Sequence, residues 1–183
     1  MGALLDYQKS ELIDGTVYDM SPASIRHIAI QGNLFTIVKK FLKGKRCKVF
    51  TEAEVAFDEE NCLIPDLIIV CDPAKITSSR IKGAPDFVAE VLSPSTRKRD
   101  ITIKKDIYEK FGVKEYWLID PKGESIDVYL LQDGKYELVS TYHNFSQEEW
   151  DDMREEDKAE IQLSLKLSLY DDLEIIVKEV FED

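Results

Sequence analysis

Residues 61–72 read NCLIPDLIIVCD, and the reading of this stretch decides the fold. Leu67, Ile68, Ile69 and Val70 are apolar on both parities, so the run does not alternate as a half-exposed strand would. A short continuous apolar run with β-branched residues predicts a strand covered on both faces. Asp66 stands inside this run. An unpaired charge there is costly, so Asp66 is expected to be protonated, paired or bound to a metal.

The neighbouring segments supply the covering layers. SELIDGTVYDM is two extended runs around Asp14-Gly15, a hairpin signal. SPASIRHIAIQGNLFTIVKKFLKGK predicts a helix capped by Ser21, with Pro22 in its first turn and Gly44 at its end. Ile25, Ile28, Phe35, Val38 and Leu42 are its expected buried stripe. CKVFTEAEVAFD reads as a strand with Phe50, Glu52, Glu54 and Ala56 on one parity, and PDFVAEVL as a strand beyond a loop with Lys75, Arg80 and Lys82. SPSTRKRD then leads into a helix, ITIKKDIYEKF, ended by Gly112. EYWLID, SIDVYLL and KYELVSTYH are further strands, with Tyr116 and Trp117 expected in the core. An exposed acidic stretch, SQEEWDDMREEDKAE, precedes extended segments IQLSLKL and LEIIV. The expectation is an α/β (α+β) fold: one domain over residues 1–183, with a central mixed β-sheet flanked by helices, a core at about 11–131 and an acidic, β-rich C-terminal extension at about 144–183.

Composition bounds the function. With 183 residues, 44% hydrophobic and 33% charged, the chain has material for a core. No run approaches the roughly 20 apolar residues of a membrane helix. MGALLDYQKS lacks a secretory leader, and Asp6 stands where a myristoylation signal wants Ser or Thr. Cys47, Cys62 and Cys71 form no CxxC pair, which argues for a reducing cytoplasm and against a disulfide or zinc framework. The net charge of −12 disfavours a broad nucleic-acid surface, but it is unevenly spread. Lys75 to Lys110 carries nine basic and five acidic residues, whereas Asn144 to Asp183 carries four and fourteen.

Three residues suggest chemistry. Asp66 is the first. Glu90 is the second: strand alternation puts Asp86, Val88, Glu90 and Leu92 on one face, so a carboxylate again keeps apolar company. The third is Lys104, which shares a helical stripe with Ile101, Ile107, Tyr108 and Phe111, while Lys105 turns to water with Thr102 and Glu109. Two carboxylates and a lysine suit a Mg²⁺-dependent hydrolytic site, with Mn²⁺ as a substitute. The lysine would orient water or stabilise developing negative charge. A lone strand aspartate is more often a turn residue, and a lone helical lysine usually snorkels. A general acid/base pair acting on another substrate is the weaker alternative.

The stretches ELIDGTVYDMSPAS, IPDLIIVCD, APDFVAEVLSPST, KKDIYEKFGVKEYWLID and IDVYLL resemble the PD-(D/E)XK nuclease superfamily, and within it the Uma-type restriction endonucleases. The resemblance spans most of residues 11–131. It implies a restriction-endonuclease-like fold, a DNA substrate, and Asp66, Glu90 and Lys104 as catalytic residues, with Asp66 and Glu90 on the metal. The superfamily lysine expected two residues after Glu90 is Leu92 here; in this branch it stands on the following helix, at Lys104. Glu52 falls where the resemblance places a glutamate, either a further ligand or water-positioning base, or simply a strand-end residue. His27 reads as structural or as a support behind the metal ligands. Arg97, Lys98, Arg99 and Lys105 are either a solvated charge run or contacts to DNA phosphates. Nucleases of this fold often pair two active sites, so a homodimer is expected, with the strands after Gly123 as its interface. A catalytically silent nuclease-like module that binds DNA or protein is the alternative.

Overall fold

The computed structural model describes residues 9–182, so the N-terminal stretch read for a leader or lipid signal lies largely outside the described residues. Strands β1 (Ser10–Ile13) and β2 (Thr16–Asp19) form the expected hairpin. Asp14 and Gly15 both adopt positive φ, +47° and +72°, as its two-residue turn requires. Helix α1 (Ile25–Phe41) follows. Next come β3 (Lys48–Thr51), β4 (Val55–Ala56), β5 (Cys62–Leu63), β6 (Leu67–Val70), a 3₁₀ turn (Pro73–Lys75), β7 (Ile81–Lys82) and β8 (Phe87–Val91). A helical segment combines α2 (Arg97–Arg99), a π turn (Asp100–Lys104) and α3 (Lys105–Lys110). It leads to β9 (Glu115–Asp120), β10 (Ser125–Gln132) and β11 (Lys135–His143). The chain continues through α4 (Gln147–Asp152), α5 (Glu155–Glu160), β12 (Ser164–Leu167), β13 (Tyr170–Ile176) and α6 (Val177–Phe181).

The central sheet has six strands in the order β11-β10-β9-β8-β6-β3 and is mixed, since β8 and β9 are parallel and the other pairs antiparallel. The helical segment is therefore the crossover between two parallel strands. A second sheet runs β2-β1-β5-β4-β7, and β12 pairs with β13.

Both faces of the central sheet are covered, as the apolar run at 67–70 predicts. Leu67, Ile69, Phe87, Ala89 and Val91 join Ile30, Leu34 and Val38 of α1, Trp117 of β9 and the C-terminal Leu165, Ile175 and Val180 in one core. Ile68, Val70, Val88 and Leu92 face the other way, against Ile107, Tyr108, Tyr116 and the second sheet's Ile13, Val55 and Leu63. Tyr116 and Trp117 are fully buried in opposite cores.

Five local expectations are corrected. Helix α1 starts three residues late: Ser24, not Ser21, caps it, its Oγ accepting from His27 N at 3.2 Å. Its buried stripe is also rotated. Ile25 and Ile28 are 84% and 50% exposed, while the expected Val38 and Leu42 are buried together with His27, Ile30, Gln31 and Leu34. This helix carries apolar residues on several phases, so periodicity alone cannot select the face that docks. The segment CKVFTEAEVAFD is two strands, not one: Glu52 takes φ +49° and breaks the extended run.

The acidic tail holds helices. Ser146 and Glu149 form a reciprocal capping box that starts α4, and Val177–Phe181 closes the chain as a helix. Finally, Cys47 and Cys71 are disulfide-bonded, against the expectation from their spacing. The β3–β6 register pairs Lys48 with Val70, so the next residues outward, Cys47 and Cys71, meet across strands. No described helix is long and apolar enough to cross a membrane.

Candidate active site

Strand register explains how a carboxylate survives beside LIIV. In the β6–β8 pairing Leu67 faces Ala89, so the register extended by one sets Asp66 opposite Glu90. Opposed residues share a face. Asp66 lies just before the strand rather than within it, at the end where both strands open into a cleft. Its Oδ2 accepts from Val91 N at 2.7 Å, and its N donates to Glu90 Oε2 at 3.2 Å. Asp66 is thus held by the residue after Glu90, and Glu90 by Asp66.

Glu90 is almost entirely buried. Its Oε1 accepts from Tyr108 Oη at 2.6 Å and lies 2.6 Å from Lys104 Nζ. Burial is the first cause that drives its pKa well above the usual carboxylate range; Asp66, Asp100 and Glu11 add to it, and Lys104 opposes it. Burial works against the Lys104 ammonium, but Glu90, Glu11 and Asp100 outweigh it and hold the amine protonated. The π turn accounts for part of this arrangement. It leaves Asp100 and Lys104 both buried, whereas Ile101, expected on the apolar stripe, is 43% exposed.

His27 reaches the site from the first turn of α1. Its Nε2 lies 3.0 Å from Asp66 Oδ1. Burial disfavours its cation, yet Asp66, with smaller pulls from Glu52 and Asp100, raises its pKa above the usual histidine value. Gln31, one turn on, donates from Nε2 to Asp66 O at 2.8 Å, and Glu52 N donates to the same carbonyl at 3.3 Å. The Glu52 side chain is exposed on the cleft rim, paired with Lys9. Glu54 turns away to Arg80, at 2.9 Å.

The structure thus brings Asp66, Glu90, Lys104, His27 and Glu52 to one cleft of about 530 Å³. The basic run lies outside that lining. Arg97 pairs with Asp120 at 2.7 Å, the Arg99 guanidinium lies 4.8 Å from the Tyr18 ring centre, Lys98 is exposed, and Lys105 Nζ stands 4.0 Å over the Tyr129 ring.

Sequence reasoning missed two buried carboxylates. Glu11 Oε1 lies 3.1 Å from Lys104 Nζ and accepts from Ile64 N at 3.0 Å; Asp100 Oδ1 lies 3.5 Å from the same ammonium. Signals for both exist. Glu11 shares strand parity with the buried Ile13, as Glu90 does with Val88, and Asp100 is one helical turn before Lys104.

The donor set suits a hard divalent cation. Asp66 and Glu90 offer carboxylate oxygens beside the cleft, and Mg²⁺ is commonly held by one or two carboxylates plus waters and substrate phosphates. Among the described residues no group of three or more His, Cys, Asp and Glu side chains forms a ready all-protein cage, which is the weaker fit for Mg²⁺ in any case.

A solved structure shares this architecture: a protein described as a putative nuclease belonging to DUF820, from Anabaena variabilis ATCC 29413. It matches with a TM-score of 0.71 at 22% identity, covering 94% of this chain and 89% of that one. The fold is therefore that of this nuclease-like class. The chain belongs to the Uma2 family, described as "Putative restriction endonuclease", whose pattern matches residues 4–166. It is also similar to two uncharacterized proteins of Synechocystis sp. (strain ATCC 27184 / PCC 6803 / Kazusa). One, slr1290, is 30% identical over 74% of this chain and 73% of its own length. The other, sll1609, is 26% identical over 62% and 67%.

Proposed function

We propose that this protein is a Mg²⁺-dependent endonuclease that hydrolyses DNA phosphodiester bonds, with Mn²⁺ able to substitute. The observation that carries this reading is the meeting of Asp66, Glu90 and Lys104, with Lys104 Nζ 2.6 Å from Glu90 Oε1 and Asp66 N 3.2 Å from Glu90 Oε2. Membership of the Uma2 family supports it.

Asp66 and Glu90 would hold the ion, and Glu52 on the rim is a candidate for a further ligand or for positioning water. When bound, the ion would lower the pKa of a coordinated water and offset phosphate charge. His27 Nε2 steadies Asp66 Oδ1 and fixes which way that carboxylate faces. Lys104, held protonated, presents a fixed positive charge to the anionic phosphate and needs no reorganisation as charge develops. Lys98, Arg97, Arg99 and Lys105 are proposed to meet the DNA backbone beyond the cleft. Those among them that already have protein partners would exchange them for phosphates. A narrow basic approach of this kind is compatible with a net charge of −12.

The same reading includes a cytoplasmic homodimer, in which two cleft-bearing chains address two strands. Its proposed interface includes β11, at the edge of the central sheet, where Leu138 and Val139 are 52% and 45% exposed. Light scattering that returns the mass of one chain would remove the dimer.

The test of the function is supercoiled-plasmid nicking with Mg²⁺, Mn²⁺ or EDTA, by wild type and by Asp66→Ala. Ion-dependent nicking by wild type alone is the expected result. DNA retention without nicking under every condition would favour a silent binding module instead.

A further inference from the structure

Of the lysines and arginines among the described residues, Lys9 and Lys104 line the cleft, and they differ in reach. The Lys104 side chain is 5% exposed and its ammonium is held by Glu90, Glu11 and Asp100, so its charge acts from within the fold. The Lys9 side chain is 46% exposed at the rim, where a phosphate can touch it.

The backbone places Lys9. Its carbonyl accepts from Met20 N at 2.9 Å, one step beyond the Ser10–Asp19 pair that ends the β1–β2 ladder. Its ammonium is ion-paired with Glu52. Glu52 stands where the chain leaves the central sheet at β3 for the second sheet at β4. The other described non-glycine residues with positive φ, Asp14, Glu124 and Asp133, all sit in turns between paired strands; Glu52, at φ +49°, does not. A left-handed conformation is disfavoured for a residue with a Cβ, and such outliers gather at functional sites. Glu52 N donates to Asp66 O at 3.3 Å, which fixes the residue beside the proposed ion ligands.

An exposed lysine–carboxylate pair contributes little, so its carboxylate is readily exchanged. A DNA phosphate offers the ammonium the same kind of oxygen acceptor, and its neutralisation releases a condensed counterion. We propose that Lys9 is the cleft's own contact to a DNA backbone phosphate, and that Glu52 holds its ammonium at the rim until the phosphate replaces the carboxylate. The inference rests on the reading of DNA as the substrate, but not on cleavage. It puts a phosphate contact inside the cleft, whereas Arg97, Lys98, Arg99 and Lys105 lie outside its lining.

The test measures binding without cleavage. Fluorescence anisotropy of a labelled DNA duplex in EDTA, over a range of salt, compares wild type, Lys9→Met, Lys9→Arg, Glu52→Gln and Lys9→Met/Glu52→Gln, with thermal melts alongside. Lys9→Met should bind about three- to fivefold more weakly and flatten the salt dependence by about 0.9 log–log units. Lys9→Arg should restore both. Glu52→Gln should tighten binding about two- to fivefold more when Lys9 is present than in the Lys9→Met background, because only there does a pair have to break.

This pattern from a protein that never nicks DNA would end the endonuclease reading and leave Lys9 as the phosphate contact of a binding module. Nicking by wild type, with Lys9→Met keeping wild-type affinity and salt slope, would do the reverse. The proposal is also overturned by a Lys9→Arg that binds as poorly as Lys9→Met, by an equal gain from Glu52→Gln in both backgrounds, or by a wild type that retains no duplex at low salt.

Discussion

Lys104 Nζ and Glu90 Oε1 stand 2.6 Å apart, both buried, whereas the adjacent Lys105 extends over the Tyr129 ring. The two lysines should therefore behave differently on substitution. Lys104→Ala should lower metal-dependent nicking by about 10²-fold or more. It should also cost on the order of 3–5 kcal/mol of stability, because three carboxylates lose their cation. Assays well below the melting point separate the two effects. Lys105→Ala should weaken DNA binding evenly across sequences and reduce the salt slope by about 0.9 log–log units. An active Lys104→Ala beside a dead Lys105→Ala would reverse the assignment.

His27 supports Asp66 through one ring nitrogen, Nε2. Losing a partner behind a metal ligand typically costs about 10–100-fold in metal affinity. His27→Ala should weaken Mn²⁺ binding within that range, and His27→Gln should recover part of it by offering a side-chain donor to Asp66. Calorimetric titration gives both values. An unchanged affinity in His27→Ala would make the histidine a packing residue.

Glu115 gives a pH signature distant from the cleft. It is fully buried on β9, and its carboxylate accepts from Trp117 Nε1 at 2.7 Å and from Ser168 N and Oγ at 2.8 and 2.6 Å. Burial is the larger influence and raises its pKa above 4.5, against the pull of Ser168 and Trp117. The folded state therefore holds this proton more tightly than the unfolded chain. Its contribution is complete below the unfolded pKa and is lost as pH rises through the folded one. Urea midpoints of wild type should fall relative to Glu115→Gln over that window and run parallel above it. Parallel curves throughout would show that the group titrates normally.

The Cys47–Cys71 bond joins residues separated by 24 positions. Closing a loop of that length stabilises by about 3 kcal/mol in the chain-entropy model, on the order of 10 °C in melting temperature for a chain of this size. A reductant should lower the wild-type melting point by that order and leave Cys47→Ser unmoved. Identical melts for reduced and oxidised wild type would mean that β3–β6 pairing already supplies the constraint.

The sequence by itself determined the covered central sheet, because LIIV and FVAEV are apolar on both parities and only a strand between two layers buries such runs. It determined the face of Glu90 by strand alternation, the hairpin at Asp14-Gly15 by turn chemistry, and Lys104 rather than Lys105 as the buried lysine. Periodicity reports relations within one element, and each of these is such a relation. Tertiary structure decided the rest. The docking face of α1 was settled by what the sheet presents to Ile30, Leu34 and Val38, since several phases of that helix are apolar. The disulfide was decided by the register that sets Cys47 beside Cys71. The carboxylate partners of Lys104 were decided by three chain segments converging, with Glu11 reaching the cleft from the separate hairpin sheet. A buried ammonium requires partners, but which carboxylates meet it depends on how those segments pack.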